Sequence, residues 1–239
     1  MKVLHVDNQV LATVKPAGLP TVPDDSGDPS LLDLARDWVG REYAKPGNVF
    51  LGVVHRLDRP VSGLVVFGRT SKGASRLSEA FRTTRIRKTY WATVEGGPTG
   101  DQGEVRQWLM KDRERNRVHV VGGPVSEAKE AVTTWRVLAR AGGRSLLELR
   151  PQTGRSHQLR VALSSLGAPI LGDLKYGASG ALADRSIALH ARGLELAHPT
   201  REERWRFEAP LPEAFPWHRG FGPIPAPDGL AERLGEPTE

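Results

Sequence analysis

Between Thr89 and Leu149 the sequence delivers one strand-like segment after another, separated by short polar turns, and this succession limits the possible folds more than any other feature. Thr89 to Val94, Val105 to Met110, Val118 to Val121, Ala131 to Leu138 and Ser145 to Leu149 each alternate or run apolar as strands do. Consecutive strands joined by short turns pair antiparallel, because a parallel connection needs a crossover of a dozen or more residues. Upstream, Val3 to Val6 and Val10 to Val14 flank Asp7-Asn8 as a hairpin. Ile187 to His190, Leu194 to His198 and Arg204 to Glu208 read as closing strands. Three stretches carry helical spacing instead. Ser30 caps a run with Leu31, Leu34, Ala35, Trp38 and Val39 up to Gly40. Ser71 caps a second with Ala74, Leu77 and Phe81, and Gly154 to Leu166 forms a third. Residues 96–103 and 111–117 read as loops. The expectation is an α+β fold: a mixed, mostly antiparallel sheet flanked by helices and loops. One domain spans residues 1–215, followed by a Pro/Gly-rich tail at 216–239, with Trp217 and Phe221 as anchors and the last dozen residues frayed.

The densest polar motif is His55-Arg56-Leu57-Asp58-Arg59-Pro60-Val61-Ser62-Gly63-Leu64, set between Val53-Val54 and Val65-Val66-Phe67. A short strand, a tight loop and a second strand would hold Asp58 at a sheet edge. Guanidinium groups on both sides favour the carboxylate form, which suits a nucleophile or base better than a proton donor. The same residues also fit a turn acid with solvated neighbours. A second polar cluster, Gln152 to Arg160, falls at the start of the third helix, where free N–H groups and the dipole attract anions. Arg155 and His157 point from its first turn, and Arg160 lies at the boundary of the buried stripe. Tyr90 follows the basic residues Arg85, Arg87 and Lys88, an arrangement that can stack an unpaired base while holding its phosphates. Alternation places Tyr90 and Trp91 on opposite faces, one towards the core and one towards a surface.

Charge agrees with a polyanionic partner. The net charge is +6, and 26 arginines outnumber eight lysines, a bias suited to bidentate phosphate contacts. There are no cysteines, and the seven histidines form no HExxH motif, so neither disulfides nor a metal site is expected. No phosphate-binding or dinucleotide-binding glycine motif occurs, and no apolar run is long enough for a membrane span. A cytoplasmic protein without a cofactor is the expectation.

Taken in order, the motifs resemble the RluA-type RNA pseudouridine synthases. They are Lys15-Pro16-Ala17-Gly18-Leu19, His55-Arg56-Leu57-Asp58 with Ser62-Gly63-Leu64, and Arg87-Lys88-Thr89-Tyr90-Trp91-Ala92. Thr153 to Arg160, Pro169 to Asp173 with Tyr176-Gly177, Leu189-His190-Ala191 and His198-Pro199 complete the series. The resemblance implies the pseudouridine synthase catalytic fold, with a central active-site cleft and no separate S4-like RNA-binding module. It implies Asp58 as the catalytic aspartate, Tyr90 as the ring that stacks on the target uracil, and Arg160 as the arginine paired with the carboxylate. It implies that Arg56 helps displace the target base; from the basic residues themselves, Arg59, Arg85, Arg87, Lys88, Arg155 and His157 are the expected RNA contacts. The implied substrate is rRNA or tRNA, acted on by a monomer. Two positions depart from the usual pattern: Pro60-Val61 precedes Ser62-Gly63, where the family more often has threonine before the serine, and Ala162 stands where histidine is frequent. An RNA-binding factor without activity and an Asp-dependent nucleoside hydrolase are the competing classes.

Overall fold

The structure, a computed structural model, describes residues 1–213, 221 and 230–234. In chain order it contains β1 (Lys2–Val6), β2 (Val10–Lys15), α1 (Leu31–Glu42), β3 (Gly52–Val53), β4 (Ser62–Gly68) and α2 (Ser71–Arg82). Then follow β5 (Arg87–Glu95), β6 (Gln102–Asp112), β7 (Arg117–Val121), β8 (Lys129–Ala141), β9 (Arg144–Pro151) and α3 (Gln158–Ser165). A 3-10 turn (Leu174–Tyr176), β10 (Leu189–Ala197), β11 (Arg204–Glu208) and β12 (Leu230–Arg233) complete the described chain. This is the expected α+β composition, with a largely antiparallel sheet.

The chain divides into two compact units. The first comprises residues 1–87, 191–210 and 226–239, and the second residues 88–190 and 211–225. In the first unit the strand order is β1-β2-β4-β10, with β3 on β4 and β11 and β12 continuing from β10. Every residue of β4 is buried, which explains why Leu64 to Phe67 read as an unbroken apolar run. Gly63 has φ 119°, and a Cβ there would meet the backbone of Ala191, so only glycine fits this position. Ser30 closes a capping box with Asp33 at the start of α1. The cap of α2 is Thr70 and not Ser71: its Oγ accepts from the N–H of Gly73 at 2.9 Å. The expected strands at 187–190 and 194–198 are one strand, β10. Gly193 does not break it: it pairs in register with Glu208 of β11, and buried Arg192 beside it donates to Ala209 O and to Glu208. Part of the expected frayed end, Leu230–Arg233, instead pairs antiparallel with β11. Trp217 lies outside the described residues, whereas Phe221 is described and partly exposed.

In the second unit β5-β9-β8-β6-β7 form an antiparallel ladder, and α3 packs on β6, β7 and β8. Leu109, Val118, Ala131, Val161 and Tyr176 form a buried cluster there. The loops expected at 96–103 and 111–117 are shorter than the sequence suggested. Gln102, Gly103, Lys111, Asp112 and Arg117 belong to strands, and only 113–116 form the β6–β7 turn. A ladder with one solvated face tolerates charged residues at its ends, and polarity alone hides this extension.

One knot in the first unit makes a prediction about acid stability. Asp7 Oδ1 accepts from the N–H groups of Gln9 and Val10 at 2.7 and 2.8 Å, and Oδ2 lies 2.9 Å from His198 Nε2 and contacts Arg201. Burial alone would raise its pKa, but hydrogen bonds from His5, Gln9 and Val10 and the charge of His198 outweigh it, holding the carboxyl well below the usual 3.8. A carboxyl depressed in the folded state contributes stability that is complete above about pH 4 and is lost as pH falls below it. The urea midpoint should therefore drop between pH 5 and 3, and Asp7→Asn should flatten that part of the profile; an unchanged profile would refute the assignment.

Candidate active site

Asp58 lies in the connection between β3 and β4, as the sequence motif suggested: Gly52 and Val53 pair with Gly68 and Phe67 across it. The connection is anchored at nearly every step. His55 Nε2 accepts from the N–H of Val66 at 2.9 Å, and its ring stacks on Phe81 with centroids 4.3 Å apart. Thr21 Oγ1 donates to Leu57 O at 2.9 Å and accepts from Leu57 N at 3.1 Å, fastening the residue before Asp58. The N–H of Val61 closes a turn onto Asp58 O at 3.0 Å. Asp58 itself remains partly exposed.

Lys15, on β2, is wholly buried. Its ammonium donates to the carbonyls of Pro16, Leu19 and Arg59 at 3.1, 2.7 and 3.1 Å. Burial pulls the Lys15 pKa down to about 7, the negative charge of Asp58 opposes that fall, and Arg59 adds to it. Lys15 thus ties two loops together, and its charge interacts with that of Asp58. The sequence reading gave it no such role. The available signal was its parity with Leu11 and Thr13 on β2, whose buried face it shares.

Arg56 is exposed and forms no ion pair among the described residues. Arg59 is occupied: Nε donates to Gly18 O at 3.0 Å, and its guanidinium contacts Asp28 and, at 3.6 Å, Asp24. It therefore fastens the 16–28 loop. Arg85 is exposed, and Arg87 lies 3.8 Å from Glu195 at the start of β5.

The second unit holds the remaining candidates. Tyr90 is partly exposed and pairs in register with Leu149, whereas its neighbour Trp91 is buried, which settles which of the two faces the core. Lys88 Nζ donates to Thr153 O at 3.0 Å. The helix expected from Gly154 starts instead at Gln158, since His157 occupies the left-handed region with φ 51°. Arg155 and His157 accordingly lie in the turn before the helix. Gln158 organises that turn. Its Oε1 accepts from Arg155 N and Thr153 Oγ1, and its Nε2 donates to Val132 O and Thr133 Oγ1. Arg155 Nε donates to Glu130 O, and His157 Nδ1 lies 2.7 Å from the Tyr176 hydroxyl.

Arg160 is buried and does not lie at the boundary of the buried stripe. Its Nε and Nη2 each donate to the carboxylate of Asp173 at 2.7 Å, and its guanidinium lies 4.9 Å from the centre of the Tyr176 ring. Such a fork fixes the plane and direction of the arginine. Asp173 is almost fully buried and was noted in the sequence only as part of a motif.

A family model described as RNA pseudouridylate synthase matches residues 9–165, which contain the Asp58 loop, Tyr90 and Arg160. The chain belongs to this family. Its enzymes isomerise uridine in RNA, so the chain is of the isomerase class. An uncharacterized RNA pseudouridine synthase of Zymomonas mobilis is 38% identical over 90% of this chain and 95% of its own length. The dual-specificity RNA pseudouridine synthase RluA of Pasteurella multocida is 36% identical over 88% of this chain and 93% of its own. Among solved structures, human RNA pseudouridylate synthase domain containing 4 superposes with a TM-score of 0.75 at 29% identity, covering 89% of both chains. The expected pseudouridine synthase fold and RNA-modifying activity therefore hold. In this synthase the motif loop is built on β3 and β4, and no described helix is long and apolar enough to cross a membrane.

Proposed function

We propose that this synthase acts on a uridine of rRNA or tRNA in the cytoplasm, as a monomer, with Asp58 as the reacting carboxylate. The observation that carries the assignment is the fixed loop of the family motif: its backbone is held from both sides while the carboxylate stays accessible. Tyr90 is the ring that stacks on the uracil, Arg160 the arginine that works with the carboxylate, and Arg56 a cation that displaces the base. Arg59, Arg85, Arg87, Lys88, Arg155 and His157 serve RNA contact, Arg59 also through the loop it fastens.

The reaction breaks the bond from ribose C1′ to uracil N1, turns the ring and joins C1′ to C5. The C5 proton is lost and N1 gains one, so atoms balance without an oxidant or a consumed cofactor. Three routes start from the carboxylate: attack at C1′, addition to the uracil ring, or removal of a ribose proton to give a glycal. All three require the uridine to leave its stack, which costs a few kcal/mol and is least costly in loops. An aromatic such as Tyr90 contributes about 1–3 kcal/mol per stacked base.

The test is to incubate the protein with rRNA and tRNA carrying 5-tritiated uridine and to digest the product to nucleosides. Tritium release with pseudouridine in the digest is expected. Free uracil would instead identify a nucleoside hydrolase, and no release from any RNA would leave an RNA-binding role and overturn the proposal.

A further inference from the structure

The second unit carries a groove of about 390 Å³ between the β6–β7 hairpin and the Gly154–Ser156 turn. Its floor is apolar, made by buried Leu109 and Val118, and its rim carries Lys111, Arg113, Lys129 and Arg155 against a single acid, Glu127. The ladder explains the clustering. Leu109 pairs with Lys129 and Lys111 with Val118, so Lys111 and Lys129 project on the same face from neighbouring strands. Arg113 stands in the turn that follows β6. All four cations are exposed, and among the described residues Lys111, Arg113, Lys129 and Arg155 have no carboxylate partner.

Positive charge also gathers beside the Gly154–Arg155 wall of the groove. Arg155 is fixed by its bond to Glu130 O, and the Lys88 ammonium lies 3.6 Å from where a Cβ on Gly154 would stand. Burial first, and then the positive charge of Arg155, push the Lys88 pKa down. Two cations thus sit close together, and among the described residues neither pairs with a carboxylate. An anion in the groove would relieve that repulsion and meet fixed donors.

We propose that this groove seats a stretch of the phosphodiester backbone of the substrate RNA, with Lys111, Arg113 and Lys129 as contacts beyond the family motifs. The proposal rests on RNA being the substrate, since several cations on one small surface suit a chain of phosphates better than an isolated carboxylate. These contacts position the RNA without reading its sequence.

The test is the variant Lys111→Gln/Arg113→Gln/Lys129→Gln, compared with Lys45→Gln/Lys72→Gln/Arg82→Gln, which removes equal charge from exposed positions of the first unit. Binding of unmodified substrate RNA is measured over a range of salt. Each lost single-strand phosphate contact removes about 0.7 from the slope of log K against log salt, so the groove variant should be shallower by about 2. Its affinity at low salt should fall about tenfold or more, appearing in KM more than in kcat, and the control should bind as wild type does. An unchanged slope, or an equal loss in the control, would overturn the proposal. Pseudouridine formation by wild type is scored separately. If wild type makes no pseudouridine but the groove variant still loses RNA affinity, the functional assignment fails and the groove stands.

Discussion

Asp58→Ala should release tritium from 5-tritiated RNA at least about 10⁴-fold more slowly than wild type, the scale seen when a reacting group is removed from an enzyme. The fold should survive. Asp58 is partly exposed, and Thr21, His55, Lys15 and Arg59 supply bonds that hold its loop, to which Asp58 contributes its backbone oxygen in the turn. RNA affinity should change less than threefold, because the phosphate contacts lie elsewhere. One electrostatic effect is expected beside the loss of rate. Asp58 supports the charge of Lys15, so without it the buried ammonium is held less firmly. A melting curve measured beside the assay separates the two effects: an inactive protein with a near-native melting temperature supports the assignment. Residual activity above about a tenth of wild type would refute it.

Asp173→Ala should be the most damaging single change to stability, at about 3–5 kcal/mol, because it leaves the Arg160 guanidinium buried without its bidentate acceptor. Removing both charges should cost less than removing one. Arg160→Met/Asp173→Leu takes out donor and acceptor together and should recover part of the stability in urea denaturation, without recovering the activity assigned to Arg160. Equal stability of Asp173→Ala and wild type would mean that the pair is not closed in solution.

Much of the fold is written locally. Ser30 and the apolar spacing after it mark α1, Asp7 marks the first hairpin, and the alternation of Arg204 to Glu208 marks β11. The Asp58 loop was equally visible, because its flanking apolar runs become β3 and β4. What could not be read depends on partners far along the chain. The start of α3 moved by four residues because Gly154 to His157 carry no helical periodicity, and Gln158 bonds to Thr133 and Val132 on another strand. Arg160 looked like a boundary residue because its partner, Asp173, lies beyond the helix in an irregular turn. Lys15 stood out only as part of a motif, since its spacing does not announce three carbonyls converging from Pro16, Leu19 and Arg59.

The interrupted make-up of the first unit has a consequence for how the protein is born. Strand β4 is buried along its whole length, and its neighbour β10 is encoded about 120 residues later. At synthesis rates of 5–20 residues per second, β4 waits roughly 6–24 s on the ribosome before that partner emerges. The intervening residues 88–190 make up most of the second unit and can begin to collapse during the delay, while Leu64-Val65-Val66-Phe67 keeps an apolar edge unpaired. The strand that positions the Asp58 loop is thus also the segment most exposed to misassociation in the nascent chain, and slowing translation between residues 68 and 189 should lower the yield of folded protein.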